Sequence, residues 1–274
     1  SADLEQDLTA AIAGEVRFDP ASRALYATDA SDYQLMPSGV VIPRDVDDVA
    51  TVVAACRRYG SSITARGGGT SQAGQAIGTG IQLDFSKYLN RVLEFAPDRR
   101  RVRVQPGIVL DELNALLKPY GLTLPLDLST SDRATIGGMI ANNSSGTRSV
   151  IYGKTLDYVE RLRVILADGS MVDWHDLDDD QLAARVSQDS LDGRCHEVVQ
   201  RLATRHAEEI EQRYPKILRR VGGYNLDEFV PGRGRPFNLS RMLVGSEGTL
   251  GLVLEATLRV VPLPAARAML SIQF

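Results

Sequence analysis

The sequence is short of cysteine, histidine and aromatic side chains: its 274 residues include 2 cysteines, 3 histidines and one tryptophan, and Phe, Tyr and Trp together make 6%. Cys56 and Cys195 stand far apart with no second thiol at CxxC spacing, which excludes a disulfide framework and a locally encoded thiolate metal or redox site. His175, His196 and His206 carry no metal-ligand spacing. No apolar run approaches the ~20 residues that cross a bilayer, and the first residues are acidic where a signal peptide is basic. Charge of one sign is not in excess either. The 31 Lys+Arg against 35 Asp+Glu give a net charge of −4, without the field of a general nucleic-acid binder. These absences point to a reduced, cytoplasmic setting and to small ligands rather than polyanions.

What is present is ordinary globular material, 43% hydrophobic and 24% charged. Leu4, Leu8, Ala11 and Ile12 recur at helical spacing up to Gly14, which predicts a short N-terminal helix. Val40 to Pro43 reads as a buried strand, Asp45 to Gly60 as a helix, and Ser62–Ala65 and Ile81–Phe85 as two further strands. Strand, helix and strand in so short a span predict a parallel pair. From Asn90 the texture changes. Val92–Phe95 and Arg101–Gln105 flank Ala96-Pro97-Asp98 as an antiparallel hairpin, and Arg99 to Arg101 with Arg103 read as its solvated face. Val109–Leu117 and Leu191–Tyr214 are expected as helices, the second a single long one; Val159–Ala167, Met171–Trp174 and Leu250–Val261 are expected as strands. Ala268 to Phe274 reads as the first strand of a further domain.

The densest local signal is Arg66-Gly67-Gly68-Gly69-Thr70-Ser71-Gln72-Ala73-Gly74, directly after the strand ending at Ala65. Consecutive glycines allow positive φ, so backbone N–H groups can converge into a nest for phosphate oxygens, with the Thr70 and Ser71 hydroxyls as added donors. The plainer alternative is a flexible turn. A second small-residue loop runs from Ala134 to Gly146, and a third from Gly245 to Gly251, where Glu247 suits ribose or ribityl hydroxyls. Spacing excludes the GxGxxG fingerprint, excludes Walker A because Arg148 stands where Gly153-Lys154-Thr155 requires a glycine, and excludes GxSxG because Ser246 sits one place early. On these residues alone, a nucleotide-binding regulatory protein without flavin stays open.

Taken in order, the three loops resemble the flavin domain of the vanillyl-alcohol-oxidase superfamily, the p-cresol-methylhydroxylase (PCMH) type, over roughly residues 35–265. Leu124-Pro125-Leu126-Asp127, Tyr152-Gly153 and Val244 to Gly251 resemble the branch holding glycolate oxidase D subunits, D-lactate dehydrogenases and D-2-hydroxyglutarate dehydrogenases. The resemblance implies an α+β fold of two subdomains, the smaller with parallel strands and the larger with an antiparallel sheet, and FAD between them. It divides the chain into a helical segment (1–34), a first FAD-binding subdomain (35–95), a second (96–265) and the start of a cap or substrate domain (266–274). It also implies that Arg66, Gly67, Gly68, Gly69, Thr70, Ser71 and Gly74 wrap the pyrophosphate. Pro43 with Thr135, Gly137, Gly138, Ala141, Asn142, Ser144, Ser145 and Gly146 would line the adenosine and ribityl stretch, and Pro125, Asp127, Ser131, Tyr152, Glu247 and Val253 would complete the pocket.

Relatives with covalent flavin place histidine after the glycine triplet; Thr70 stands there, so non-covalent FAD is expected. Asn142 and Ser145 depart from the Thr and Gly usual in the family. The implied activity is oxidation of a 2-hydroxy acid such as D-lactate, glycolate or D-2-hydroxyglutarate by hydride transfer to FAD. No catalytic or metal-ligating residue is assigned here. In the relatives the catalytic cluster belongs to a cap domain, and some carry iron–sulfur modules downstream or in a partner subunit. The setting implied is cytoplasmic or peripheral to the inner membrane. Two alternatives stand beside this: an FAD-binding module without turnover, and a UDP-N-acetylenolpyruvoylglucosamine reductase-like enzyme, which the tail after Val261 fits poorly.

Overall fold

The computed structural model describes residues 2–266, 268 and 270–273. Its first unit contains, in chain order, α1 (Ala2–Ala11), β1 (Glu15–Arg17), α2 (Pro20–Leu25), β2 (Gly39–Ile42), α3 (Val46–Tyr59), β3 (Ile63–Arg66) and β4 (Ile81–Asp84). The sheet order is β1-β2-β4-β3, with β2 and β3 each parallel to β4 and β1 antiparallel to β2. The two strands read from sequence as a parallel pair thus share a direction but are not neighbours. β4 lies between them because all four of its residues are buried, whereas β3 is half-exposed and suits an edge. Local chemistry sets α3: the Asp45 side chain caps it by accepting from the Asp48 N–H at 3.0 Å, and Gly60 ends it at φ +63. The buried face of α3, Val49, Val52, Val53 and Cys56, packs with Leu4 and Leu8 of α1 and with Val41, Ile81 and Leu83 of the sheet.

The second unit contains β5 (Val92–Ala96), β6 (Arg101–Val104), α4 (Leu110–Leu117), β7 (Leu122–Thr123), α5 (Ile136–Asn142), α6 (Ser149–Tyr152), β8 (Val159–Ile165) and β9 (Met171–Trp174). It continues through α7 (Asp179–Val186), α8 (Leu191–Arg205), α9 (Ala207–Arg213), α10 (Ser240–Leu243), β10 (Leu252–Arg259) and β11 (Val261–Pro262). The sheet β5-β6-β10-β8-β9 is antiparallel throughout. Its inner face, including Val102, Val104, Leu162, Val164, Ala256 and Leu258, joins Leu110, Leu113 and Leu117 of α4 and Met139 and Ile140 of α5 in one core. Its other face carries ion pairs: Arg101 with Glu160 at 2.6 Å, and Glu255 with both Arg103 at 2.7 Å and Arg163 at 2.9 Å. Arg101 and Arg103 of the arginine run therefore spend their charge on neighbouring carboxylates, and a surface pair of this kind contributes ~0–1 kcal/mol. Ile165, Leu252 and Leu254 reach across to the core of the small sheet, so the two units share an apolar seam.

The fold is α+β, with a mixed, mostly parallel small sheet and a larger antiparallel one. Three readings of extent need correction. The helix expected over Leu191–Tyr214 is broken at His206, which ends α8 and opens α9, its ring 3.5 Å from the Glu209 carboxylate. The strand expected to reach Val261 stops at Arg259, and Val261-Pro262 pairs instead with β7; Pro262 has no N–H to extend a longer ladder. Beyond that, residues 268 and 270–273 lie in no strand, and the remainder of the expected terminal strand, Met269 and Phe274, falls outside the described residues, as does Arg267.

Candidate functional site

The three small-residue loops line one cavity of about 650 Å³ at the carboxyl ends of β3 and β4, where ligands of open sheets with parallel strands bind. From the first loop come Arg66 to Ala73, from the second Ala134, Thr135, Gly137, Gly138, Met139, Ala141, Asn142, Ser144 and Ser145, and from the third Ser246, Glu247, Gly248 and Gly251, followed by Val253. Seven positions anticipated from sequence are not on this wall: Pro43, Gly74, Pro125, Asp127, Ser131, Gly146 and Tyr152. Several shape the loops instead. A Cβ on Gly146 would lie 2.1 Å from the Asp127 carbonyl oxygen, and the Asp127 carboxylate accepts from Thr147 Oγ1 at 2.8 Å and Arg148 Nε at 3.1 Å.

Arg66 opens the first loop, and its guanidinium is engaged by backbone carbonyls. It donates to the backbone carbonyls of Thr28 at 2.8 Å and Ala76 at 3.0 Å and lies over the Tyr26 ring at 5.2 Å. Burial lowers its pKa, with the Tyr26 and Asp84 oxygens acting the other way. Arg66 therefore ties the loop to residues 26–28, and the Ala30 N–H, donating to the Gly69 carbonyl at 3.0 Å, adds a second tie. Gly67 and Gly68 are glycine for a reason invisible in the triplet itself. A Cβ on Gly67 would stand 2.0 Å from Thr135 Oγ1 and one on Gly68 2.3 Å from the Arg133 carbonyl oxygen. The first loop thus packs backbone-close on the second. Gly68→Ala would strike this junction as well as any ligand contact.

From Gly67 to Gln72 six successive N–H groups have no hydrogen-bond acceptor among the described residues. The first turn of α5 is different, although Gly137 and Gly138 line the cavity. Its N–H groups already donate: Ile136 to the Ile108 carbonyl at 2.9 Å, Gly137 to the Pro106 carbonyl at 2.7 Å, and Gly138 to Thr135 Oγ1 at 3.4 Å. The first loop, unlike the first turn of α5, leaves its N–H groups open on this wall.

The far end of α5 holds the third loop. Asn143 leaves the helix in the left-handed region at φ 50, and its buried Oδ1 accepts from the Leu156 N–H at 3.0 Å. The Gly245 and Glu247 N–H groups donate to the Ile140 and Ala141 carbonyls, each at 2.9 Å. Asn142 Nδ2 donates to Glu247 Oε1 at 3.1 Å, and burial pushes the Glu247 carboxyl above the ordinary carboxylate range against that bond. Arg66 and Glu247 are the only ionisable side chains on the cavity wall among the described residues. Cavity residues that sequence reasoning missed include Ser129, Thr130, Pro106, Phe85, Gln72 and Ser246. The hydroxyl run Ser129-Thr130-Ser131 was a readable signal; the apolar ones were not.

This wall can hold an extended ligand whose anionic part meets neutral amide donors and whose polar remainder meets hydroxyls and one carboxyl. No group of three or more His, Cys, Asp or Glu is placed to hold a metal ion among the described residues. No helix among them is long and apolar enough to cross a membrane. The FAD binding domain family matches residues 37–174. D-2-hydroxyglutarate dehydrogenase of Pseudomonas putida is 40% identical over 264 residues, covering 95% of this chain and 26% of that protein. Its Escherichia coli counterpart is 38% identical, covering 99% and 27%, and glycolate oxidase subunit GlcD of Bacillus subtilis 31%, covering 93% and 44%. The chain thus spans about a quarter of the length of the D-2-hydroxyglutarate dehydrogenases it matches. A solved alkyldihydroxyacetonephosphate synthase shares the fold with a TM-score of 0.68 at 20% identity, covering 97% of this chain and 41% of that one. With a match across half its length, this chain belongs to the FAD binding domain family.

Proposed function

We propose that the chain holds FAD non-covalently as the flavin domain of a dehydrogenase oxidising a D-2-hydroxy acid, with D-2-hydroxyglutarate the first substrate to test. The observation that carries this reading is the run of unengaged N–H groups from Gly67 to Gln72 on the wall of the shared cavity. A diphosphate needs several converging donors, and backbone amides supply them without a counter-charge. The 40% identity to a D-2-hydroxyglutarate dehydrogenase supports the substrate class. Thr70 offers no imidazole for a covalent link. FAD, when bound, supplies the hydride acceptor for the carbon bearing the substrate hydroxyl. The chain's own residues bind and orient: the amides of the first loop hold the diphosphate, and Glu247 takes a ribose or ribityl hydroxyl. We take residues 35–95 and 96–265 as the two halves of this flavin domain.

A second reading, the same module without turnover, is favoured by the wall itself, which pairs no acid with a base. In that case the proton-abstracting group comes from a further domain. Titrating FAD into the purified chain separates the cases. Saturation at one flavin per chain, with a raised melting temperature, is the expected result; a chain whose melting is indifferent to excess FAD contradicts both readings. Dye reduction by the loaded chain with D-2-hydroxyglutarate favours turnover within it, and binding without dye reduction favours the module.

A further inference from the structure

We infer that Tyr26 and Asp84, neither of which lines the cavity, are positioning residues for the cofactor: with Arg66 they clasp the first loop in its binding conformation before a ligand enters. The inference deepens the FAD reading proposed above and rests on it. No N–H from Gly67 to Ala76 donates to a backbone carbonyl among the described residues. A segment without a backbone ladder of its own is ordered by what grips it from outside. Arg66 closes its base: Nη1 donates to the Ala76 carbonyl at 3.0 Å, ten residues further on, and to the Tyr26 carbonyl at 3.4 Å, while Nη2 donates to the Thr28 carbonyl at 2.8 Å. The Ala76 N–H donates to Asp29 Oδ2 at 3.3 Å, which ties the far end of the loop to the same neighbouring segment.

Tyr26 and Asp84 hold that guanidinium in place. Its carbon lies 5.2 Å from the centroid of the Tyr26 ring, and the Tyr26 hydroxyl donates to Asp84 Oδ2 at 2.5 Å. Asp84, 7% exposed, stands opposite Arg66 on the neighbouring strand, and its other oxygen accepts from the Ser86 N–H at 2.8 Å. Burial first, and the Asp84 carboxylate second, raise the Tyr26 phenol above its usual range, so the hydroxyl stays a donor at neutral pH. The sheet therefore fixes Asp84, Asp84 fixes Tyr26, and residues 26–28 fix the side chain that closes the loop. Tyr26 and Asp84 line neither the main cavity nor the recess beside it, so their effect on a ligand passes through Arg66 and the loop. A loop already held in its binding conformation loses less freedom when a ligand binds, which raises affinity without adding a contact.

The test is FAD titration of the full chain as wild type, Tyr26→Phe, Asp84→Asn, Arg66→Met and the double variant Tyr26→Phe with Arg66→Met, each followed by displacement of FAD with ADP. Tyr26→Phe and Asp84→Asn are each expected to weaken FAD roughly three- to tenfold, the effect of losing one hydrogen bond. ADP, which shares the diphosphate, weakens by the same factor. The double variant binds FAD no more weakly than Arg66→Met alone, because Tyr26 acts through the guanidinium. A role confined to supporting the fold would not produce that non-additivity. Should Arg66→Met fail to fold, Arg66→Lys, which lacks the planar fork, takes its place in the cycle. Unchanged FAD affinity in either Tyr26→Phe or Asp84→Asn overturns the inference, and so do losses that add in the double variant or a loss for FAD that ADP does not share. Failure of the wild type to bind FAD is a separate result that overturns the underlying reading as well.

Discussion

Thr70→Asp lowers FAD affinity at least about a hundredfold while leaving the cofactor-free fold close to wild type. Thr70 is half-buried on the wall of the main cavity and of the recess beside it, and the side-chain hydrogen bonds of the first loop run through Arg66 and Ser71 instead. A carboxylate placed there sits among the amides assigned to the diphosphate. Two like charges ~4 Å apart repel by about 4 kcal/mol at an effective dielectric of 20, and a hundredfold loss needs only about 2.7 kcal/mol. Thr70→Val is the control: it removes the hydroxyl without adding charge and should cost less than about tenfold. Flavin fluorescence titration reads both. Equal affinities for wild type and Thr70→Asp would remove the first loop from the binding site.

The second large effect concerns stability. Asp192 is 4% exposed and is the hub of a network: its carboxylate accepts from Trp174 Nε1 at 2.7 Å and Arg185 Nη1 at 3.0 Å, with His196 Nδ1 3.3 Å away. His196 is itself 2% exposed, stacked on Phe237, with Nδ1 2.8 Å from the Asp192 carbonyl oxygen. Asp192→Ala strands a buried indole N–H and a guanidinium, and is expected to cost about 3 kcal/mol. That corresponds to roughly 6–12 °C in melting temperature at this chain length. The pH dependence has a definite sign. Burial pushes the Asp192 carboxyl up, but hydrogen bonds from His196 and Trp174, with the nearby Arg185 charge, outweigh it and hold the pKa below the usual carboxylate value. A depressed pKa contributes stability that is present above the unfolded value and lost as pH falls through the folded one. The gap in melting temperature between wild type and Asp192→Ala should therefore be widest near neutral pH and close in acid. A gap that persists unchanged in acid, or is absent at neutral pH, would show that the network does not hold these helices to β9.

Much of this was legible along the chain because it is written in short-range patterns. The caps of α3 and the strict alternation of β10 depend on residues within a few positions of one another. The loops stand out by composition, and their convergence on one cavity follows once the strands before them are placed. The rest depended on partners distant in sequence. A charged residue beside a glycine triplet invites a phosphate role, but Arg66 is claimed by carbonyls at Thr28 and Ala76. Gly67 and Gly68 are required by Thr135 and Arg133, contacts that local spacing does not announce. The strand order of the small sheet follows from comparing the burial of β3 with that of β4, a tertiary quantity. The break at His206 involves neither Gly nor Pro, so no punctuation marked it.

The central claim is that open backbone amides of the first loop, rather than a helix end or a basic side chain, receive the cofactor's diphosphate. A crystal structure of the chain saturated with FAD tests it most directly. The account predicts diphosphate oxygens within hydrogen-bonding distance of several N–H groups between Gly67 and Gln72, with the Arg66 guanidinium still on the Thr28 and Ala76 carbonyls. A diphosphate held by the Arg66 side chain, or seated away from this loop, would contradict it.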